Sequence, residues 1–143
     1  MKKVLVAIDG SEMSKLVLQR ARNIAEKFEA EVLLLTVVKR MRLINYYTGT
    51  DLSERFDKEI QASAEKTLEK AREHFTGYPG NVETLLAYGE PAEEILMAAE
   101  REKPDLLIMG SRGLGGFGRV MLGSVSTKVL HHVQCDMLVV QNQ

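Results

Sequence analysis

The chain has 143 residues and carries 19 basic against 20 acidic side chains, a formal net charge of −1; the length suits one domain of the usual ~100–200 residues, large enough to bury about 68–70% of its unfolded surface without a disulfide or metal. This balance excludes the basic footprint of a dedicated nucleic-acid-binding domain, and a composition 45% hydrophobic and 27% charged excludes a disordered chain. Lys2-Lys3 leads only into Val4-Leu5-Val6-Ala7-Ile8 before Asp9, too short for an export signal, and no apolar run nears the roughly 20 residues of a membrane span, so a cytoplasmic location is expected.

Five apolar runs alternate with four segments whose apolar residues recur every three or four positions, the rhythm of βαβ units. Val4 to Ile8 is almost wholly apolar, as a parallel strand covered on both faces must be. Met13, Leu16, Val17, Ala21, Ile24, Ala25 and Phe28 then form one helical stripe behind a cap at Ser11. A second strand spans Val32 to Val38, followed by a long basic and aromatic connection from Lys39 to Thr50. Asp51 and Glu54 have capping-box spacing, which predicts a helix from Asp51 with Leu52, Phe56, Ile60, Ala64, Leu68, Ala71 and Phe75 on its buried face, broken at Gly77-Tyr78-Pro79-Gly80. A third strand covers Val82 to Tyr88. Pro91 stands in the first turn of a helix carrying Ala92, Ile95, Leu96 and Ala99, which Pro104 closes. Leu106 to Met109 forms a fourth strand, Leu122, Val125, Val129 and Val133 mark a last helix, and Met137 to Val140 a fifth strand.

These elements predict an α/β fold: one domain over residues 1–143, a three-layer sandwich around a five-stranded parallel sheet, Rossmann-like; the expected strand order is 3-2-1-4-5. Such sheets bind ligands beyond the carboxyl ends of strands where the winding reverses, and Asp9 and Gly110 stand at two such ends.

The segment 110–124 holds six glycines in fifteen positions. A glycine loop between strand and helix can aim several backbone N–H groups at one anion, and a phosphate chain is the natural guest. Gly118 to Ser124 reads G-x-x-x-x-G-S but lacks the lysine of a P-loop. Gly113, Gly115 and Gly118 spell the dinucleotide fingerprint, yet they follow the fourth strand, and no acid ends a strand about 20 residues on. The full match is G-x-x-G, nine residues, then G-S: Gly110, Gly113, Gly123 and Ser124.

That motif, together with the opening Val4-Leu5-Val6-Ala7-Ile8-Asp9-Gly10-Ser11 and the stretch Ile108-Met109-Gly110-Ser111-Arg112-Gly113, resembles the nucleotide-binding universal stress proteins along the whole chain. The resemblance implies an ATP site with Mg²⁺. Ala7, Ile8 and Asp9 would border the adenosine, and Val37 would meet the adenine. Met109, Gly110, Arg112 and Gly113 would line the ribose and phosphates, which Gly123, Ser124, Val125 and Ser126 would bind at a helix start.

Asp9 either holds a ribose hydroxyl or Mg²⁺, or caps the helix after it; one acid is too few for a receiver-type metal site. Arg112 and Arg119 either contact phosphates or are solvated, and Tyr46 and Tyr47 shield either the nucleotide or a partner surface. His131 and His132 are adjacent, so they point to different faces and complement the last helix's C-terminus rather than chelate; no metal is assigned to protein ligands alone. Cys135 has no CxxC partner and reads as a small, half-buried thiol. The fifth strand, if an edge, invites pairing with a second copy through Met137 to Val140, and the resemblance implies the same homodimer. The reading is an ATP-binding stress-response module acting through conformation or partner binding, with little dedicated catalysis. Two alternatives stay open, a slow Mg²⁺-dependent ATP hydrolase or nucleotidyl-transferring enzyme and a nucleotide-free interaction protein.

Overall fold

The computed structural model describes residues 1–39, 50–112 and 122–142, with the side chains of 50–54 outside that set. Five strands, β1 (Lys3–Ala7), β2 (Glu31–Val38), β3 (Val82–Tyr88), β4 (Leu106–Gly110) and β5 (Asp136–Val140), alternate with α1 (Glu12–Phe28), α2 (Thr50–Glu73), α3 (Pro91–Glu102) and α4 (Ser124–His132). All pairings are parallel and the order is β3-β2-β1-β4-β5, as expected.

The sheet is covered on both faces, which is why its central strands can be apolar without alternation. On one face Val4, Val6, Ile8, Leu34 and Ile108 pack under α1 and α2, where Val17, Ala21, Ala25, Leu68 and Ala71 are buried. On the other, Leu5, Leu33, Leu35, Leu107 and Met109 pack against Ala92, Ile95 and Ala98 of α3 and Val129 of α4. At the β1–α1 turn Gly10 takes φ +79°, a conformation that side-chain-bearing residues adopt at a cost.

Several local expectations need correction. Phe28 and Phe56 are exposed at 47% and 46%, while Leu18 and Ser14, outside the expected stripe, are buried. Phe28 is the last residue of α1. Ser11 occupies the N-cap of α1 but its side chain makes no capping bond. Helix α2 starts at Thr50, one residue early; the side chains of Asp51, Leu52 and Glu54 lie outside the described residues. Leu122 precedes α4, and Val133 is its C-cap. Tyr46, Tyr47, Gly113, Gly115, Gly118 and Arg119 lie outside the described residues.

Candidate functional site

Winding reverses between β1 and β4, and beyond their carboxyl ends the described residues form a cleft of about 740 Å³. Ala7, Ile8, Asp9, Val37, Met109, Gly110, Arg112, Gly123, Ser124, Val125 and Ser126 all line it, so four distant segments meet at one place. Gly113, the remaining candidate, lies outside the described residues.

The first wall is the end of β1. Ile8 donates its N–H to the Leu35 carbonyl at 2.9 Å, and its own carbonyl accepts the Thr36 hydroxyl at 2.8 Å. Asp9 Oδ1 accepts the Ser11 N–H at 3.0 Å and the Ser14 hydroxyl at 3.1 Å, while the Asp9 N–H donates to Ser14 Oγ at 3.2 Å. Asp9 therefore fixes the start of α1, one of the two roles that the sequence left as alternatives, and it also stands on the cleft wall. This division of labour releases Ser11. Its hydroxyl is closed off from solvent and is the one such side-chain atom among the described residues without a hydrogen-bond partner.

The second wall is β2. Leu35 directs its carbonyl to Ile8 on the β1 side, and Val38 directs its carbonyl to the Gly89 N–H on the β3 side. Backbone groups of successive strand residues alternate in direction, so the Val37 N–H and C=O both face the β1 side, two residues past the last β1 pairing, Ala7 with Leu35. The Ile8 carbonyl, the group within reach of that N–H, is taken by Thr36. One donor and one acceptor thus edge the cleft side by side.

The third wall joins β4 to α4. Ser111 donates its N–H to the Val140 carbonyl at 2.8 Å, and its carbonyl accepts both the Gly123 N–H at 2.6 Å and the Ser126 hydroxyl at 2.9 Å. The first helical bond of α4 runs from the Thr127 N–H to the Gly123 carbonyl, leaving the N–H groups of Ser124, Val125 and Ser126 without an intrahelical acceptor. With the helix macrodipole they make a seat for negative charge. The Ser126 hydroxyl is turned inward, so what this residue presents to the cleft is its backbone. A Cβ on Gly123 would lie 3.2 Å from the Ser111 carbonyl and 3.5 Å from Arg112 Cα, so any side chain here would press on the Ser111 carbonyl by a few tenths of an ångström.

Residues that the sequence did not single out complete the cleft: Met13 and Val17 of α1, Ile60, Ser63 and Ala64 of α2, Pro91 and Ile95 of α3, and Lys39. Pro91 was legible as a helix start; that this start overhangs the cleft follows from the crossover geometry. Lys128 of α4 lies 3.6 Å from the Glu90 carboxylate and 3.4 Å from that of Glu93, tying α4 to the start of α3. Burial alone would raise the Glu90 carboxyl, but the Glu93 and Ala92 amides and Lys128 outweigh it and hold it below the usual range. Among the described residues, Asp9 is the sole acid on the cleft and no cluster of three metal-ligating side chains forms.

Comparisons with known proteins agree on one family. Residues 1–141 match the model of the universal stress protein family. The chain is 36% identical to universal stress protein YxiE of Bacillus subtilis over 97% of its own length and 98% of that protein's. Among solved structures it is similar to the hypothetical protein MJ0577, with TM-score 0.87, 27% identity and coverage of 99% and 96%. It is also similar to a universal stress protein solved in complex with cAMP, with TM-score 0.72, 26% identity and coverage of 98% and 96%. A family member from Arabidopsis thaliana solved with AMP bound shares the fold at 21% identity, TM-score 0.73 and coverage of 100% and 93%.

Proposed function

The chain belongs to the universal stress protein family, and from that premise we propose that it is an adenine-nucleotide-binding module whose ligand in the cell is ATP, acting through ligand-dependent conformation or partner binding. The observation that carries the reading is the open edge of β2 at Val37. A paired N–H donor and C=O acceptor complement the acceptor N1 and donor N6 of adenine; guanine, with O6 and N1–H, reverses both. The phosphates then run toward the N–H groups of Ser124, Val125 and Ser126, with Arg112 beside them. The cleft fits such a ligand in size and in its mostly apolar lining with a few convergent polar groups. The nucleotides carried by relatives of the same fold point the same way.

Mg²⁺ would neutralise phosphate charge, and Asp9 is the one cleft carboxylate available to it from the described chain, so most of its ligands would be phosphate oxygens and water. The chain's own part is binding: Val37 selects the base, α4 seats the phosphates, and Gly123 lets Ser111 and the helix start come close enough to do so.

Calorimetric titration of the full chain with AMP and GMP tests the base reading. One reversed pair of buried hydrogen bonds costs on the order of 1–3 kcal/mol, so AMP is expected to bind at least about tenfold more tightly. Equal affinities would remove Val37 as the selector. ATP with and without Mg²⁺ in the same format establishes the preferred phosphate length.

A further inference from the structure

A base at Val37 and phosphates on α4 determine where the sugar between them runs. Val37 stands near the end of β2, and the α4 start is tied to the end of β4 by the Gly123 N–H on the Ser111 carbonyl. β1 lies between β2 and β4, so the ligand spans two strand spacings, about 10 Å, over the ends of β1 and β4. Ribose hydroxyls are donors, and among the described residues Asp9 is the sole carboxylate on the cleft to accept them.

One side chain of α1 reaches the same place. Met13 lines the cleft and is only partly buried. Its backbone is pinned on both sides. The Ser14 N–H donates to the Ser11 carbonyl at 3.0 Å, and Asp9 accepts the Ser11 N–H and the Ser14 hydroxyl. From this turn the side chain lies against Gly110, where a Cβ would meet Met13 Cγ at 2.5 Å and Sδ at 3.6 Å, with the Arg112 carbonyl at 3.3 Å. Gly110 has no positive φ. Its lack of a side chain therefore answers to space, and Met13 fills that space.

We infer that Met13 is a specificity-determining residue of the nucleotide site: it bounds the cleft beside the sugar, so that an unmodified ribose is admitted and a bulky group on the 2′ or 3′ oxygen is not. The inference rests on the nucleotide reading. Met13 and Asp9 belong to one turn, so the hydroxyls drawn to Asp9 are those that Met13 confines. A thioether donates no hydrogen bond and accepts only weakly, so it discriminates by volume. A larger group must drive the side chain off Gly110 while the turn holds its base in place.

The test is titration of the full chain with AMP by calorimetry and with 2′/3′-O-(N-methylanthraniloyl)-AMP by fluorescence. The acyl group migrates between the two oxygens, so one probe samples both positions. It is also neutral, so repulsion from Asp9 plays no part. The parent chain is expected to bind the acylated probe at least about tenfold more weakly than AMP. Met13→Ala is expected to narrow that ratio at least about fivefold, while Met13→Leu, of similar volume, keeps it. The hydroxyl removed by acylation is missing for all three proteins, so it cancels in the comparison. Should Met13→Ala fail to fold, Met13→Val, which also shortens the side chain, takes its place. Equal binding of the two ligands by the parent, or a ratio unchanged in the shortened variant, overturns the inference and leaves the nucleotide reading standing. A parent chain that binds no AMP sinks that reading, and this inference with it.

Discussion

Ser126 is 2% exposed and directs its hydroxyl at the carbonyl of Ser111, with the Gly123 carbonyl 3.1 Å away. Ser126→Ala would remove one of the two hydrogen bonds on the Ser111 carbonyl, which keeps the Gly123 N–H, and a loss of about 0.5–1.5 kcal/mol is expected in urea denaturation. Gly123→Val acts at the same joint by a different route: a branched side chain meets the Ser111 carbonyl and the Arg112 backbone. AMP affinity is expected to fall at least about tenfold in calorimetry, because misplacing a helix start by about 1 Å removes well-aligned N–H contacts; unchanged affinity would show that α4 does not seat the phosphates. Sequence spacing picked out both residues, yet it could not show that the Ser126 hydroxyl turns inward, since that depends on where the Ser111 carbonyl comes to rest. Val37 is a stronger case. Its role depends on β2 running three residues past its last pairing with β1, and a nearly unbroken apolar run such as Val32 to Val38 contains no marker of register.

At the scale of elements, α1 is held at its C-terminal end by groups from beyond α2. Arg22 donates to the carbonyls of His74 and Thr76 at 2.9 and 2.7 Å, and the Tyr78 hydroxyl reaches the carbonyls of Ala25 and Ala30. Burial, with the carboxylates of Glu26 and Glu29 adding to it, raises the Tyr78 phenol above its ordinary value of 10.0. The folded state thus holds this proton more tightly than the unfolded chain. Its contribution to stability is complete below pH about 10 and is lost as pH rises through the higher folded value. Tyr78→Phe is expected to cost about 0.5–1.5 kcal/mol near neutrality and to flatten the alkaline limb of a stability-against-pH curve; an unaltered limb would mean that another group controls it. The sequence marked Tyr78 only as part of a helix-breaking turn. Period and turn chemistry predict that a helix ends, whereas the capping of one helix by the turn after another is a tertiary fact. Phe28 and Phe56 make the complementary point, since periodicity placed both on a buried stripe and the fold leaves both exposed.

For the molecule as a whole, alternating apolar runs sufficed to predict the layers and the parallel sheet, whereas right-handed crossovers also allow the order 2-1-3-4-5, so the expected order 3-2-1-4-5 does not follow from the runs alone. β5 lies at the edge of the sheet, and Met137, Leu138 and Val139 are only half-buried. We propose that a second copy covers this edge, as the sequence suggested. Sedimentation at micromolar concentration is expected to give a dimer, and Val139→Lys a monomer that still binds AMP; a monomeric parent chain would refute the assembly. Because the Ser111 N–H bonds the last residue of β5, the same experiment run with AMP would register any coupling between the edge and the cleft.

The place of β4 between β1 and β5 also governs the order of events during synthesis. β1 leaves the ribosome before the other strands of this sheet, and β2 can cover one of its edges early. The other edge must wait for Leu106–Gly110, about a hundred residues later, which at the usual 5–20 residues per second is roughly 5–20 s. Throughout that interval the nascent chain carries a strand with Val4, Leu5 and Val6 and one open side, so this protein is most vulnerable to aggregation before its fourth strand is made.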